Sequence, residues 1–266
     1  MGRRVAQTDD TQNCIEIVRA HDYDRYLAML YAPADKRDAL YAYIAFNAEL
    51  ARIPGLASEP MVGEIRLAWW REALADLAKG QVRGHPVLLA LSEIEAPPFD
   101  ILEDMIEARI EELYREGAAD LNALENYGQR THGALHGLLL SVLNVEADIK
   151  SAASAMTYTS VLKAMAYHAS KQGQGSDEAH MFKGAYTDET IAMAQALCEA
   201  STLHINTLKA APVSKAAISV LLPLISAREV VKAYQRAGFD PRRVDVQKPA
   251  LSLQIKFFWA ALRGRI

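Results

Sequence analysis

A chain of 266 residues, 51% of them hydrophobic and 23% charged, with a formal net charge of −4, has the composition of a globular protein with a sizeable core and not that of a disordered segment. No basic stripe marks a nucleic-acid footprint, and the two isolated cysteines, Cys14 and Cys198, make neither a disulfide framework nor a CxxC metal site, which favours a reducing compartment. No window approaches the ~18 apolar residues of a membrane span, and Met1-Gly2-Arg3-Arg4 is followed by polar residues, so a cytoplasmic protein is expected, with residues 1–10 flexible.

Helical periodicity runs through nearly the whole chain, and strand alternation bounded by hairpin signals is hard to find. The pattern predicts a first helix over about Thr11 to Leu30. Pro33 opens a long second one, with Leu40, Tyr43, Ile44, Asn47 and Leu50 or Ala51 on one face and Pro54-Gly55 as its stop. Ser58-Glu59-Pro60 reads as a helix start. The helix that follows carries Ile65, Trp69, Ala73 and Leu77 at i, i+4 spacing and ends near Gly80. Pro97-Pro98 precedes a helix over about Phe99 to Glu116. Asn122 with Glu125 resembles a capping pair before a helix reaching Asn144. Ser151 to Ser170 and Thr187 to Ala211 are helical, and Lys171 to Ala185, with three glycines, is irregular. Ser226 to Glu229 reads as a capping box for a helix ended by Gly238, and Pro249 precedes a last helix. With no repeat and no long linker, the expectation is one all-α domain, residues 1–266, built as a bundle of roughly ten helices.

Chemistry has few obvious carriers. Glu103, Asp104, Glu107, Glu111 and Glu112 crowd one helix at a spacing that suits Mg²⁺ through oxygen ligands; the plainer reading is a solvated acidic face with Arg109 and Arg115 as partners. His132 and His136 stand at i, i+4, which can place two imidazoles on one metal, but no third ligand is evident. No nucleophile elbow or phosphate loop occurs. The stretch Leu251 to Ile266 interleaves Phe257, Phe258, Trp259 and Leu262 with Lys256, Arg263 and Arg265, the composition of a helix that lies on a membrane surface or packs its apolar side on the domain.

Several segments, taken in order, resemble the squalene/phytoene synthase family. Arg37-Asp38-Ala39-Leu40-Tyr41-Ala42-Tyr43 is similar to its R-x-A-L-Y-A-F opening, Ile65 to Leu74 to its tryptophan-bearing helix, and Gly84-His85-Pro86-Val87 to the HPV segment that follows. Asp104-Met105-Ile106-Glu107-Ala108 and Leu124-Glu125-Asn126-Tyr127 resemble its D-M-I-E and L-x-x-Y helices. The resemblance implies the isoprenoid synthase bundle with a central cavity. In active members two aspartate-rich motifs face each other there and hold Mg²⁺ against a departing diphosphate. This sequence departs from both motifs. Ala45 to Pro54 has Glu49 as its one carboxylate, beside Arg52, and Leu162 to Ser170 has none. Phe46-Asn47-Ala48-Glu49-Leu50-Ala51 with Ser58-Glu59-Pro60 resembles a divergent branch, which includes the mitochondrial complex I assembly factor and α-proteobacterial relatives. Val161 to Ala169 is a degraded form of another segment of that branch.

The resemblance implies a non-catalytic protein assisting assembly of a respiratory complex, with a protein partner there and a prenyl or lipid chain in the old cavity; the composition of the C-terminal helix adds an expected peripheral contact with the inner membrane. The alternative is a Mg²⁺-dependent prenyltransferase with atypical ligands. Candidate cavity residues are Tyr41, Asn47, Glu49, Trp70, Tyr127, Lys163 and His168. If the protein is catalytic, the metal candidates are Glu49, Asp104, Glu107 and Glu112; otherwise no cofactor is expected.

Overall fold

The computed structural model describes residues 2–115, 120–171, 187–210, 214, 216–245 and 251–266. Among the described residues there are thirteen α-helices, short 3₁₀ turns, one π turn and no strand. In order they are α1 (Gly2–His21), α2 (Tyr23–Met29), α3 (Arg37–Leu56), α4 (Pro60–Ala78), α5 (Pro86–Ser92), α6 (Phe99–Leu113), α7 (Leu121–Gly128), α8 (Ala134–Leu143), α9 (Ile149–Lys171), α10 (Asp188–Ala210), α11 (Ile218–Leu221), α12 (Pro223–Arg236) and α13 (Leu251–Arg263). Helix α1 takes in residues 2–10, expected to be flexible.

Helix α3 is the apolar axis of the first half. Leu40 to Ala48 are all buried, as is Leu50, and a helix apolar nearly all round belongs at the centre of a bundle. It packs against α1, α5, α8, α4 and α6. Helix α9 is the axis of the second half, flanked by α10, α7, α12 and the π turn. Its partners close a second core of Leu162, Met165, Leu197, Val231 and Tyr234. The Tyr234 hydroxyl donates to the Leu162 carbonyl at 2.6 Å, so this core leaves no phenol stranded.

The structure corrects several boundaries. The first predicted helix is two, divided at Asp22, whose side chain caps α2 by accepting from the Arg25 N–H. Helix α3 does not stop at Pro54-Gly55 but runs to Leu56. Pro54 falls in its last turn, where the missing N–H removes one bond, and the Ala57 N–H still reaches the Ile53 carbonyl at 3.1 Å. Helix α4 buries Gly63, Leu67, Trp70, Leu74 and Leu77, whereas Ile65 and Trp69 are 66% and 38% exposed. Ala73 and Leu77 face the core as read in the sequence, so the inward stripe departs from the predicted one at Ile65 and Trp69. Asp120, not Asn122, caps α7 by accepting from the Ala123 N–H at 2.7 Å. Helix α12 begins at Pro223, so Ser226 is a buried residue of its first turn and no capping box forms. The irregular stretch predicted over Lys171 to Ala185 lies outside the described residues from 172 onward, as does Pro249.

Helices α7 and α9 touch so closely that residue 128 must be glycine. A Cβ there would lie 2.2 Å from Thr157 Oγ1 and 3.0 Å from Thr157 Cβ. Alanine is better than glycine in a helix by ~1 kcal/mol, but forcing the helices apart costs about 1–3 kcal/mol. Gly128→Ala is therefore expected to lower the urea midpoint, and Gly128→Ala with Thr157→Ala to regain part of the loss. A stabilised single variant would contradict the packing.

Candidate functional site

The middle of the bundle is polar. Arg25, 3% exposed, is set there by the turn at Asp22, whose carboxylate pairs with its guanidinium. The second guanidinium nitrogen lies 3.2 Å from His132 Nδ1. Arginine has no lone pair to offer, so Nδ1 accepts and the His132 proton sits on Nε2. Nε2 in turn donates to Ser160 Oγ at 3.3 Å on α9. A directed chain thus runs from α2 through the π turn Gln129–Gly133 to α9. The surrounding protein and the Arg25 charge hold the His132 imidazolium well below its usual range.

One helical turn onward, His136 is buried and neither of its ring nitrogens has a hydrogen-bond partner. Burial first, then Arg25, pushes its pKa down to about 3. Asn47 Oδ1 on α3 and Ser219 Oγ on α11 are also buried without partners. Lys163 on α9 ties α2 from the other side, its Nζ 2.9 Å from Asp24 Oδ2.

Sequence-predicted candidates fall in separate places. Asn47 and Lys163 belong to the elements around this polar heart. Tyr41 is buried nearby on α3, its hydroxyl donating to the Tyr26 carbonyl at 3.4 Å, and burial pushes its pKa up to about 12. Glu49 and Trp70 share a different site, a pocket of about 240 Å³ lined also by Arg52, Ile53, Leu56, Arg66 and Trp69. Trp70 meets Phe46 and His85 edge-on at 5.5 and 4.8 Å. Tyr127 takes a bond from Arg109 and gives one to Glu112. His168, half-buried on α9, lies edge-on to Tyr167 at 5.5 Å. A larger pocket of about 660 Å³ opens beside Asp10, Asp35, Asp38 and Glu93 and holds none of these candidates.

The four candidate metal ligands do not converge. Each carboxylate is engaged by an arginine: Glu49 by Arg52 at 3.0 Å, Asp104 by Arg130 at 2.7 Å, Glu107 by Arg71 at 2.9 Å and Glu112 by Arg109 at 2.9 Å. Arg130 also grips Glu111 at 2.6 Å. Arg115, one of the two partners expected for this acidic face, instead lies over the Tyr127 ring. Among the described residues no group of three or more His, Cys, Asp and Glu is arranged to hold a metal ion. A guanidinium is permanently charged and binds carboxylate in a fixed fork, so these residues do not fit Mg²⁺ and no ionisation step is derived through it. His132 and His136 likewise lack a third ligand, and the Nδ1 of His132 is committed to Arg25.

Arg25, Asp22, Asp24 and Ser160 escaped the sequence reading. The one local signal was Asp22 three residues before Arg25, a capping aspartate inside what reads as continuous helix.

A helical shell around a polar centre, with its carboxylates neutralised, defines a class before it defines a protein. The shell superimposes on a dehydrosqualene synthase with a TM-score of 0.73 at 16% identity, over 97% of both chains. It also superimposes on the squalene synthase HpnC of Alicyclobacillus acidocaldarius with a TM-score of 0.66 at 18% identity, over 89% of this chain and 97% of that one. These likenesses give the isoprenoid synthase fold. The squalene/phytoene synthase sequence pattern matches residues 18–250, and the chain belongs to that family.

Within the family, the chain is similar to proteins named NADH dehydrogenase (ubiquinone) complex I, assembly factor 6. It is 30% identical to the Bos taurus protein over 168 residues, 60% of this chain and 50% of that protein. It is 25% identical to the Mus musculus protein over 274 aligned positions, 95% of this chain and 82% of that one. The match therefore spans half the length of the bovine relative and most of the mouse one.

Proposed function

We propose that this chain is a non-catalytic member of its family that assists assembly of a respiratory membrane complex of the complex I kind, through a protein partner in that assembly. The observation that carries the proposal is the arginine on each of Glu49, Asp104, Glu107 and Glu112. Ionising a prenyl diphosphate requires clustered carboxylates free to hold cations against the leaving group, and these are dispersed and already neutralised. The names of the assembly-factor relatives supply the direction in which such a shell has been put to use. On this reading the protein works in the cytoplasm, against the inner membrane, and the shell holds a prenyl or lipid chain.

Two measurements test it. Purified protein with Mg²⁺ and farnesyl or geranylgeranyl diphosphate is expected to release no diphosphate above a protein-free control. Release that vanishes in Glu49→Gln would establish the alternative, a prenyltransferase with atypical ligands. Deletion of the gene is expected to lower assembled complex I on native gels; unchanged complex I would end the assembly reading.

A further inference from the structure

Helix α13 has two apolar faces and the protein uses one. Leu253, Phe257 and Ala260 are buried and join the main core. On the outside, Leu251, Ile255, Phe258, Trp259 and Leu262 are between 47% and 70% exposed. Leu251, Ile255, Phe258 and Leu262 follow one another at steps of four, three and four, so they form a single stripe along the helix. Phe258 and Trp259 meet edge-on at 5.7 Å, and the Arg263 guanidinium sits over the Trp259 ring at 5.2 Å. The helix closes with Gly264 at φ +63 and the Arg265 N–H on the Ala260 carbonyl, which seals its end.

Charge selects what covers this stripe. Residues 251–266 contain Lys256, Arg263 and Arg265 and no Asp or Glu. Lys256 is spent on Glu229 of α12 at 2.8 Å, leaving Arg263 and Arg265 beside the aromatic end. A tryptophan next to arginines, above an apolar stripe, suits the boundary between acyl chains and anionic headgroups. A second exposed stripe, Met61, Ile65 and Trp69 on α4, also has an arginine over its tryptophan, but there Glu64, Glu72 and Asp76 balance Arg66 and Arg71 in sequence, whereas α13 carries no acid at all. A helix of thirteen residues is about 20 Å long, too short for one face to supply the ~800 Å² per partner of a stable protein pair. Among the described residues no helix is long and apolar enough to cross a membrane, so contact through α13 would be at the surface.

We propose that the outer face of α13 docks the protein onto an anionic lipid surface, with Phe258, Trp259 and Leu262 inserted and Arg263 and Arg265 at the headgroups. The test is co-sedimentation of the full chain with phosphatidylcholine vesicles and with vesicles carrying a fifth or more of an anionic phospholipid. Binding is expected to the anionic vesicles, to weaken with salt, and to drop at least about tenfold in Phe258→Glu/Trp259→Glu. Arg263→Ser/Arg265→Ser is expected to abolish the anionic preference. Ile65→Glu on α4 is expected to bind as the parent does, and circular dichroism should show all variants folded. The proposal is overturned if the parent ignores anionic vesicles, if the α13 variants bind unchanged, or if Ile65→Glu loses binding equally. It is also overturned if light scattering gives a dimer that Phe258→Glu/Trp259→Glu dissociates, since a second copy would then be the occupant. The proposal rests on the reading that the protein works against the inner membrane; vesicle binding is read apart from diphosphate release and complex I levels, so either reading can fail while the other holds.

Discussion

Arg25→Ala is expected to destabilise the protein by about 3–5 kcal/mol, the range for removing one partner of a buried charge pair. The loss has three sources. The Asp22 carboxylate, which the guanidinium neutralises, keeps its charge with less compensation. His132 Nδ1 loses its donor, so the chain to Ser160 loses its polarity. The volume of a long side chain is left empty between α2 and the π turn. Arg25→Met fills that volume and is expected to cost less, which separates packing from charge. Asp22→Asn/Arg25→Met removes both charges and should recover a further part. Urea melts of the three variants measure this. A loss under ~1 kcal/mol in Arg25→Ala would mean that water replaces the guanidinium at little cost.

Acidification is expected to unfold the protein earlier than its carboxylates alone would require. His136 has a folded pKa near 3, below the ~6.5 of an exposed imidazole. Below pH 6.5 the unfolded chain therefore binds a proton that the folded one refuses, and stability falls with pH until the folded group itself protonates near 3. At pH 5 this amounts to about 2 kcal/mol from His136. His132 acts in the same sense, as do the half-buried His85 and His168, all lowered first by burial. The carboxylates with lowered values, Glu229 and Asp240, lose stabilisation at more acid pH. The interval from pH 6.5 to 5 thus reports on the histidines. His136→Gln cannot take up a proton and is expected to flatten the slope there by about one proton. An unchanged slope would mean that His136 meets solvent in the folded state.

The sequence discloses the fold better than it discloses the site, and particular residues explain why. Pro60, Pro98 and Gly238 mark the ends of helices because their effect is on their own backbone. Pro54 misleads because a proline removes only its own N–H bond, and in the last turn the helix still runs on to Leu56 and closes with the Ala57 N–H on the Ile53 carbonyl. Ser226 misleads because Pro223 had already begun the helix. Ile65 and Trp69 mislead because α4 turns toward α6, where Gly63 receives Leu113, and no local spacing announces that direction. The site is harder still. Arg130 reaches Asp104 across 26 positions and Arg71 reaches Glu107 across 36. Sequence spacing offered the carboxylates as a group and Arg109 as a partner, which Glu112 takes from the same helix; the arginines on Asp104, Glu107 and Glu111 come from elsewhere in the chain. Arg25 and His132, 107 positions apart, have no shared motif at all.

The π turn at Gln129–Gly133 has a bearing on chain length. A π turn is a place where a helix accommodates one more residue than its pitch requires. A deletion early in α8 itself, which follows the π turn, would advance every later side chain by about 100°, turning Leu138, Leu139 and Leu143 away from the core they fill. Inside Gln129–Gly133 the same deletion would be absorbed, because the widened turn would tighten to an ordinary one and Leu135 to Leu143 would keep their bearing. The turn is thus the point in this helix where the reading of faces can slip by one residue without loss of register, and His132, which it delivers to Arg25, is what the extra length provides.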